Sequence, residues 1–315
     1  MDAPGQLSPT QQRVLEQLRR EREPVVFDQG FVDQLVARAH EAMLRCSERL
    51  GGERLFVSKG FLLNVLGCET RHLEPDVFAW TPLTARGFVA HKAIELGVHW
   101  HGEPVPEVLV DEAIARLSDD PTQRGDWIAG LSDSDRAELR CAAVERVTQF
   151  LQDFPPVPGR FHPVYEARTR WTCGCVELSG KTDLVIGRPD GRASTKLIVD
   201  FKSGRPNAHH REDLRFYALL ETLARQVPPR RLVTYYLESA VADAEDVTEA
   251  VLEASLARLI GAVERHVELV IDARPPQKRT GVSCRWCHVL ARCDEGRAHL
   301  AMLDDDGSQG FDDPD

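Results

Sequence analysis

The chain lacks an uninterrupted apolar run approaching the roughly 18 residues needed to cross a bilayer. Its first residues, MDAPGQLSPTQQRVLEQLRR, lack the basic-then-apolar layout of a secretory signal. A membrane partner is therefore not expected, and the cytoplasm is the expected compartment. Lysine is scarce as well: only six of the 39 basic residues are Lys, a bias read as GC-rich coding rather than mechanism. An excess of positive charge is also missing, the formal net charge being -11. The stretch from Asp304 to Asp315 holds six Asp and no basic residue, and without it the balance is about -5. Net charge thus neither supports nor excludes a polyanionic partner, because binding a nucleic acid needs a local basic path rather than a basic total.

With 42% hydrophobic and 28% charged residues over 315 positions, the chain can bury a large core. The first 28 residues suggest a leading helix, and amphipathic text from Phe31 to Leu50 stops at Gly51-Gly52. Lys59 to Leu66 suggests a short helix, and Thr84 a cap for a helix carrying Phe88, His91, Ile94 and Val98. Residues 102–152 read as a helical elaboration, including a helix from Ser132. After the proline-rich break at residues 155–163, strands are expected at Val164–Trp171, Val176–Ile186 and Lys196–Lys202, the last two joined by a turn at Pro189-Asp190-Gly191. A helix over Ala208–Ala224, a strand over Leu232–Leu237 and a long helix with Leu252, Leu256, Leu259, Val263, Val267 and Val270 complete the pattern. Pro275-Pro276 then introduces a cysteine-rich segment. The expected organisation is one α/β domain over residues 1–302 followed by a disordered acidic tail at 303–315.

In the strand ending Asp200-Phe201-Lys202, period two points Ile198, Asp200 and Lys202 one way and Leu197, Val199 and Phe201 the other. Asp183 closes Gly180-Lys181-Thr182-Asp183 on the preceding strand, within reach of Asp200 across a hairpin. Two carboxylates held close repel each other, so such a pair calls for a divalent cation. Mg2+ or Mn2+ there, with Lys202 beside it, suits phosphodiester hydrolysis. His91 could complete the metal shell, and an imidazole ligand favours manganese. Asp-x-Lys alone is more often a solvated ion pair. Glu166 is an open case, equally readable as a second approach to the metal or as a surface strand residue paired with a neighbouring Arg. His209 and His210 read as incidental.

Cys284-x-x-Cys287-x5-Cys293 forms a second constellation. In a reducing compartment such cysteines read as metal ligands, and a fourth thiolate must come from elsewhere in the chain. Four thiolates suit a 4Fe-4S cluster or zinc, and ligand type alone leaves both open. Cys173-Gly174-Cys175 is an alternative pair that reads as turn residues, while Cys46 and Cys141 read as buried thiols. Trp286 with Arg285 and Arg292 reads either as a stacking and phosphate surface or as packing.

Together, Gly-x-x-Asp, Val-Asp-Phe-Lys-Ser-Gly, a following helix with Tyr217, and the split cysteine set resemble the RecB-like branch of the PD-(D/E)xK nucleases, which includes AddB-type helicase-nuclease subunits and CRISPR-adaptation exonucleases. The resemblance spans Cys68 to Cys293. It implies a restriction-endonuclease-like fold with a central mixed β-sheet flanked by helices. It assigns Asp183, Asp200 and the upstream His91 to metal, Lys202 to catalysis and Tyr217 to substrate positioning, and it assigns Cys68, Cys284, Cys287 and Cys293 to an iron-sulfur staple. Two departures stand out: Asp213 where a glutamine is expected on the tyrosine helix, and Cys68-Glu69 in place of Cys-Pro. The implied activity is exonucleolytic hydrolysis of DNA, on single strands or free ends, within a helicase, repair or CRISPR complex. The alternative is a DNA-binding or partner-binding subunit without turnover.

Overall fold

The computed structural model describes residues 7–19, 25–74, 80–98, 100–188 and 190–308. In chain order the elements begin with α1 (Pro9–Leu18), β1 (Val25–Val26), α2 (Gln29–Arg49), β2 (Leu55–Val57), α3 (Lys59–Gly67) and α4 (Glu69–Leu73). Four helices follow, α5 (Pro82–Val98), α6 (Pro106–Ser118), α7 (Gln123–Ala129) and α8 (Asp133–Asp153). The strands β3 (Val164–Cys173), β4 (Val176–Ile186), β5 (Ala193–Ser194) and β6 (Leu197–Lys202) lead to α9 (Ala208–Arg225). The chain ends with β7 (Arg231–Tyr236), β8 (Val241–Asp246), α10 (Glu249–Val270) and α11 (Asp294–Ser308). Contacts group the chain into two compact units, one drawn from residues 1–37, 79–171 and 180–255, the other from 38–78, 172–179 and 256–315.

In the first unit the sheet runs β4-β6-β7-β8 with β3 alongside β4. It is mixed: β4 with β6 and β7 with β8 are antiparallel, whereas β6 and β7 are parallel. The parallel step needs a crossover connection, and α9 supplies it. Val199 and Phe201 on one face of β6 share a core with Val14 of α1, Ile94 of α5 and Phe150 of α8. Lys202 on the other face meets Asp213 of α9. The two faces of β6 are therefore divided as its alternation predicts. Aromatic rings tighten the core: Phe154 stacks on Phe150 at 5.0 Å and meets Phe201 and Tyr235 edge-on at 5.5 and 4.9 Å.

The helical elaboration packs through small residues. Ala85, Val89, Ala90 and Ala93 of α5 lie fully buried with Leu109, Ala113, Ala143 and Val147 of α6 and α8. Alanines let helix axes approach closely, so the stripe of α5 that faces the core is not the larger one expected: Phe88 and Val98 are exposed. The cap also differs, since the Thr81 hydroxyl accepts from the Thr84 amide and α5 begins at Pro82. Ser132 caps α8 as expected, accepting from the Asp135 amide.

In the second unit β2 pairs in parallel with the first part of β4, Leu55 opposite Val176. Arg49 at the end of α2 bonds Asp272 beyond α10 at 2.5 Å.

Other expectations need correction. The leading helix covers only Pro9–Leu18, after which Val25–Val26 pair with Ala193–Ser194. Cys141 is exposed on α8 rather than buried. The helix α11 runs to Ser308 and so extends into residues expected in the acidic tail, whereas 309–315 lie outside the described residues. In the expected hairpin turn, Asp190 bridges Ala193 and Gly191 takes a positive φ of 57°, while Pro189 lies outside the described residues. No helix among the described residues is long and apolar enough to cross a membrane. Replacing Phe154 by Ala empties the centre of the aromatic cluster and is expected to cost about 3–5 kcal/mol, read as a lower urea midpoint.

Candidate active site and thiol site

The register of β4 against β6, Leu184 opposite Val199, carried one residue further sets Asp183 opposite Asp200. There the backbone ladder gives way to a side chain: the Phe201 amide donates to Asp183 Oδ2 at 2.6 Å. Asp183 Oδ1 lies 3.1 Å from His91 Nδ1 on α5. Both carboxylates are buried, at 9% and 3% relative exposure for Asp183 and Asp200. Lys202 Nζ stands 2.7 Å from Asp200 Oδ2 and 3.6 Å from Asp213 Oδ2 on α9.

Charges this close set each other's protonation. Burial alone would raise the Asp183 pKa, but His91, the Phe201 amide and Lys202 overcome it and hold the carboxyl below its usual range. Burial alone would lower the His91 pKa, yet Asp183 and Asp200 outweigh it and raise the value. Tyr217 is pushed strongly upward by burial and by the charges of Asp200, Asp183 and Asp213, so its hydroxyl remains protonated. Gly180 makes room for that ring. A Cβ there would stand 2.6 Å from Tyr217 Cε1, closer than side chains tolerate.

One donor atom each from His91, Glu166 and Asp183 can be chosen so that all lie within 4.8 Å of one another. An imidazole with two carboxylates suits a hard or borderline divalent cation, manganese more than magnesium. Glu166 is thereby drawn to the site, where its sequence context left it level with a surface role. It holds a φ of 52°, rare for a residue with a Cβ, which breaks the alternation of β3 and which period-two reading could not anticipate. Asp200 is not in that group of three and instead holds Lys202. Asp213 likewise faces Lys202. His210 Nδ1 stands 3.2 Å from the Tyr236 hydroxyl.

In the second unit Cys68, Cys284, Cys287 and Cys293 all line one cavity, with Arg71, Lys278 and Arg279 on its wall. Cationic walls suit thiolates. The Gly296 amide donates to Cys293 Sγ at 3.3 Å. Cys173 and Cys175 are directed elsewhere, their thiols toward the carbonyls of His40 and Ser47. Trp286 is 75% exposed rather than packed, while Arg285 pairs with Asp304 and Arg292 with Glu74.

Glu69, the residue that follows Cys68, is the clamp of this region. It is 2% exposed and accepts from both terminal nitrogens of Arg274 at 3.0 and 2.8 Å and from the Gln277 amide at 2.7 Å. Its own amide donates back to the Gln277 carbonyl at 3.1 Å. Arg265 adds a contact at 3.4 Å. The Arg274 bonds depress the Glu69 pKa, against the opposing effect of burial.

The family described as the PD-(D/E)XK nuclease superfamily matches residues 61–294, a span containing both constellations. The chain belongs to that superfamily. Its α/β architecture, a mixed central sheet with helices about it, is the restriction-endonuclease-like fold of this superfamily. No curated protein matches the sequence. Among solved structures, the chain is similar to SSO0001 at 16% identity over 68% of this chain and 97% of that one, with a TM-score of 0.31. It is also similar to a protein from Eubacterium rectale named "Putative exonuclease", at 12% identity over 79% of this chain and 89% of that one, with a TM-score of 0.41. At these scores neither likeness adds to the fold described above.

Glu69→Gln removes the charge that two arginines face and is expected to destabilise the protein by about 2 kcal/mol or more at neutral pH. Because the native Glu69 pKa is depressed, its contribution is fully present above the ordinary carboxylate value of about 4.3 and fades as pH falls through the native one. Urea midpoints of the two proteins should therefore differ at pH 7 and converge in acid.

Proposed function

We propose that this protein is a divalent-metal-dependent nuclease of the RecB-like kind, acting as an exonuclease on single-stranded DNA or free DNA ends. The observation that carries the reading is the convergence of His91, Glu166 and Asp183 within one ion's reach, with Asp200, Lys202 and Tyr217 packed around them. His91, Glu166 and Asp183 would hold Mn2+ or Mg2+, with Asp200 close by. When bound, the cation would polarise the scissile phosphate and favour ionisation of the attacking water.

The protein's own groups account for the rest. Lys202 is fixed by two carboxylates, so its ammonium is oriented before substrate arrives and can steady the negative charge that develops on phosphate oxygens. Tyr217, kept protonated, donates a hydrogen bond for positioning. His91 on Oδ1 and the Phe201 amide on Oδ2 together hold the Asp183 carboxylate in one orientation. Asp213, where the resemblance expects glutamine, restrains Lys202 and so has a use that does not require contact with phosphate.

For the thiol site we propose a structural 4Fe-4S cluster held by Cys68, Cys284, Cys287 and Cys293. The four residues line one cavity, and four thiolates are the ligand set that such a cluster takes. The cationic wall of Arg71, Lys278 and Arg279 would offset the negative charge of a thiolate-bound cluster. The two units would work as one nuclease-type domain over 1–302, in the cytoplasm, within a helicase, repair or CRISPR-type complex.

Lys202→Ala is expected to lower Mn2+-dependent degradation of labelled single-stranded DNA by about 10²–10³-fold with the oligonucleotide still bound. Undiminished degradation would remove the hydrolytic assignment; retention without cleavage by the unaltered protein would favour a DNA-binding subunit. Protein purified without oxygen should be brown and carry about four irons per chain, and stoichiometric zinc in a colourless preparation would replace the cluster.

A further inference from the structure

Lys181 stands two residues before Asp183 on β4, so strand alternation carries both side chains to one face. Its ammonium is paired with the Glu166 carboxylate. Glu166 is in turn one of the three residues whose donor atoms gather within an ion's reach. The same carboxylate thus has two claimants, an ammonium of the chain itself and a divalent cation from solution. A doubly charged ion on Glu166 would repel the ammonium, so the two cannot share it on equal terms. Glu166 stays in place through an uncommon φ of 52° and is only 17% exposed at its side chain, whereas Lys181 is 44% exposed on a flexible four-carbon stem. When one partner moves, it is the lysine. Around it lie Asp183, Glu95, Arg124 and Lys92. Lys92 pairs with Glu95 and His91 with Asp183, so a displaced Lys181 finds those acids already engaged.

We propose that Lys181 is a place-holding cation of the metal site. It neutralises Glu166 before a metal ion arrives and yields that carboxylate to entering Mn2+ or Mg2+. It is thereby freed to bind a phosphate of the nucleic acid beside the one that is cut. Substrate capture is then linked to metal loading through one side chain. The inference rests on the metal-site reading of His91, Glu166 and Asp183, and it adds a residue that the Asp, Asp-x-Lys pattern does not include.

Mn2+ binding to the full-length protein, followed by calorimetry and by the loss of the free Mn2+ electron-spin signal, separates the possibilities. Lys181→Met should bind Mn2+ roughly tenfold more tightly than the unaltered protein, and Lys181→Arg should bind it about as the unaltered protein does. In a Glu166→Gln background the Lys181→Met gain should disappear, because the competition runs through that carboxylate. With Ca2+ in place of Mn2+, Lys181→Met should hold a fluorescent single-stranded oligonucleotide several-fold more weakly. Its salt dependence should flatten by about 0.7 in log-log slope, the loss of one phosphate contact. Thermal melts identify any variant that fails to fold, in which case Lys181→Gln replaces Lys181→Met. If the unaltered protein binds Mn2+ and Lys181→Met binds it equally or less tightly, the place-holding role is overturned. Failure of the unaltered protein to bind Mn2+ at all overturns the metal-site reading, and the proposal with it.

Discussion

Two acids set opposite each other on neighbouring strands are the constraint around which the first unit is organised. Asp183 and Asp200 face one another where β4 and β6 meet, both nearly excluded from water. Left alone, such a pair would not stay ionised, since the repulsion of like charges grows as solvent is removed. The surrounding chain answers with donors and cations: the Phe201 amide and His91 on Asp183, and Lys202 on Asp200. Each of these comes from a different point of the fold, so the sheet register, the placement of α5 and the end of β6 must all be right together. The parallel β6–β7 step and its crossover α9 then bring Asp213 up to the same lysine.

The second unit solves a similar problem with the opposite sign of emphasis. Here one buried carboxylate, Glu69, is surrounded by Arg274, Arg265 and a backbone amide rather than by a metal. A charge so placed contributes little net attraction over an apolar substitute, but removing one partner is costly, so the arrangement is specific. It fixes the residue next to Cys68 against the segment that leads to Cys284. The same unit also holds His72 and His266 against each other at 2.9 Å. Burial and the neighbouring ring depress the His72 pKa to about 4, so the pair is neutral at physiological pH.

Much of this was legible in the chain. Period-two text in Leu197–Lys202 and the spacing back to Asp183 located the strands and the acids that share their end, because alternation is a local rule that long-range packing seldom overturns. The long helix from Glu249 announced itself through apolar residues three and four apart. Other features depend on what cannot be read in one window. Helix α5 turns its alanines inward because two other helices crowd it, which inverts the apparent apolar stripe at Phe88 and Val98. Short strands such as Leu55–Val57 have too few residues to show a period, and their existence is decided by the partner strand. Glu166 was ambiguous because a single backbone angle, not its neighbours in sequence, turns its carboxylate. Lys181 escaped notice since its meaning depends on Glu166. Asp213 looked out of place because the resemblance expects glutamine there, and only the fold brings it face to face with Lys202.

The clamp at Glu69 has a bearing on how the protein ages. Its bonds to Arg274 and Gln277 join the same two stretches of chain that the four thiols line up, and they do so with polypeptide alone. Oxidation alters thiols but leaves a carboxylate–guanidinium pair untouched. The loop around Cys68 is thus held close to the terminal segment whatever becomes of the four thiols, so a chain with damaged sulfurs keeps a nearly assembled cradle rather than an unravelled end.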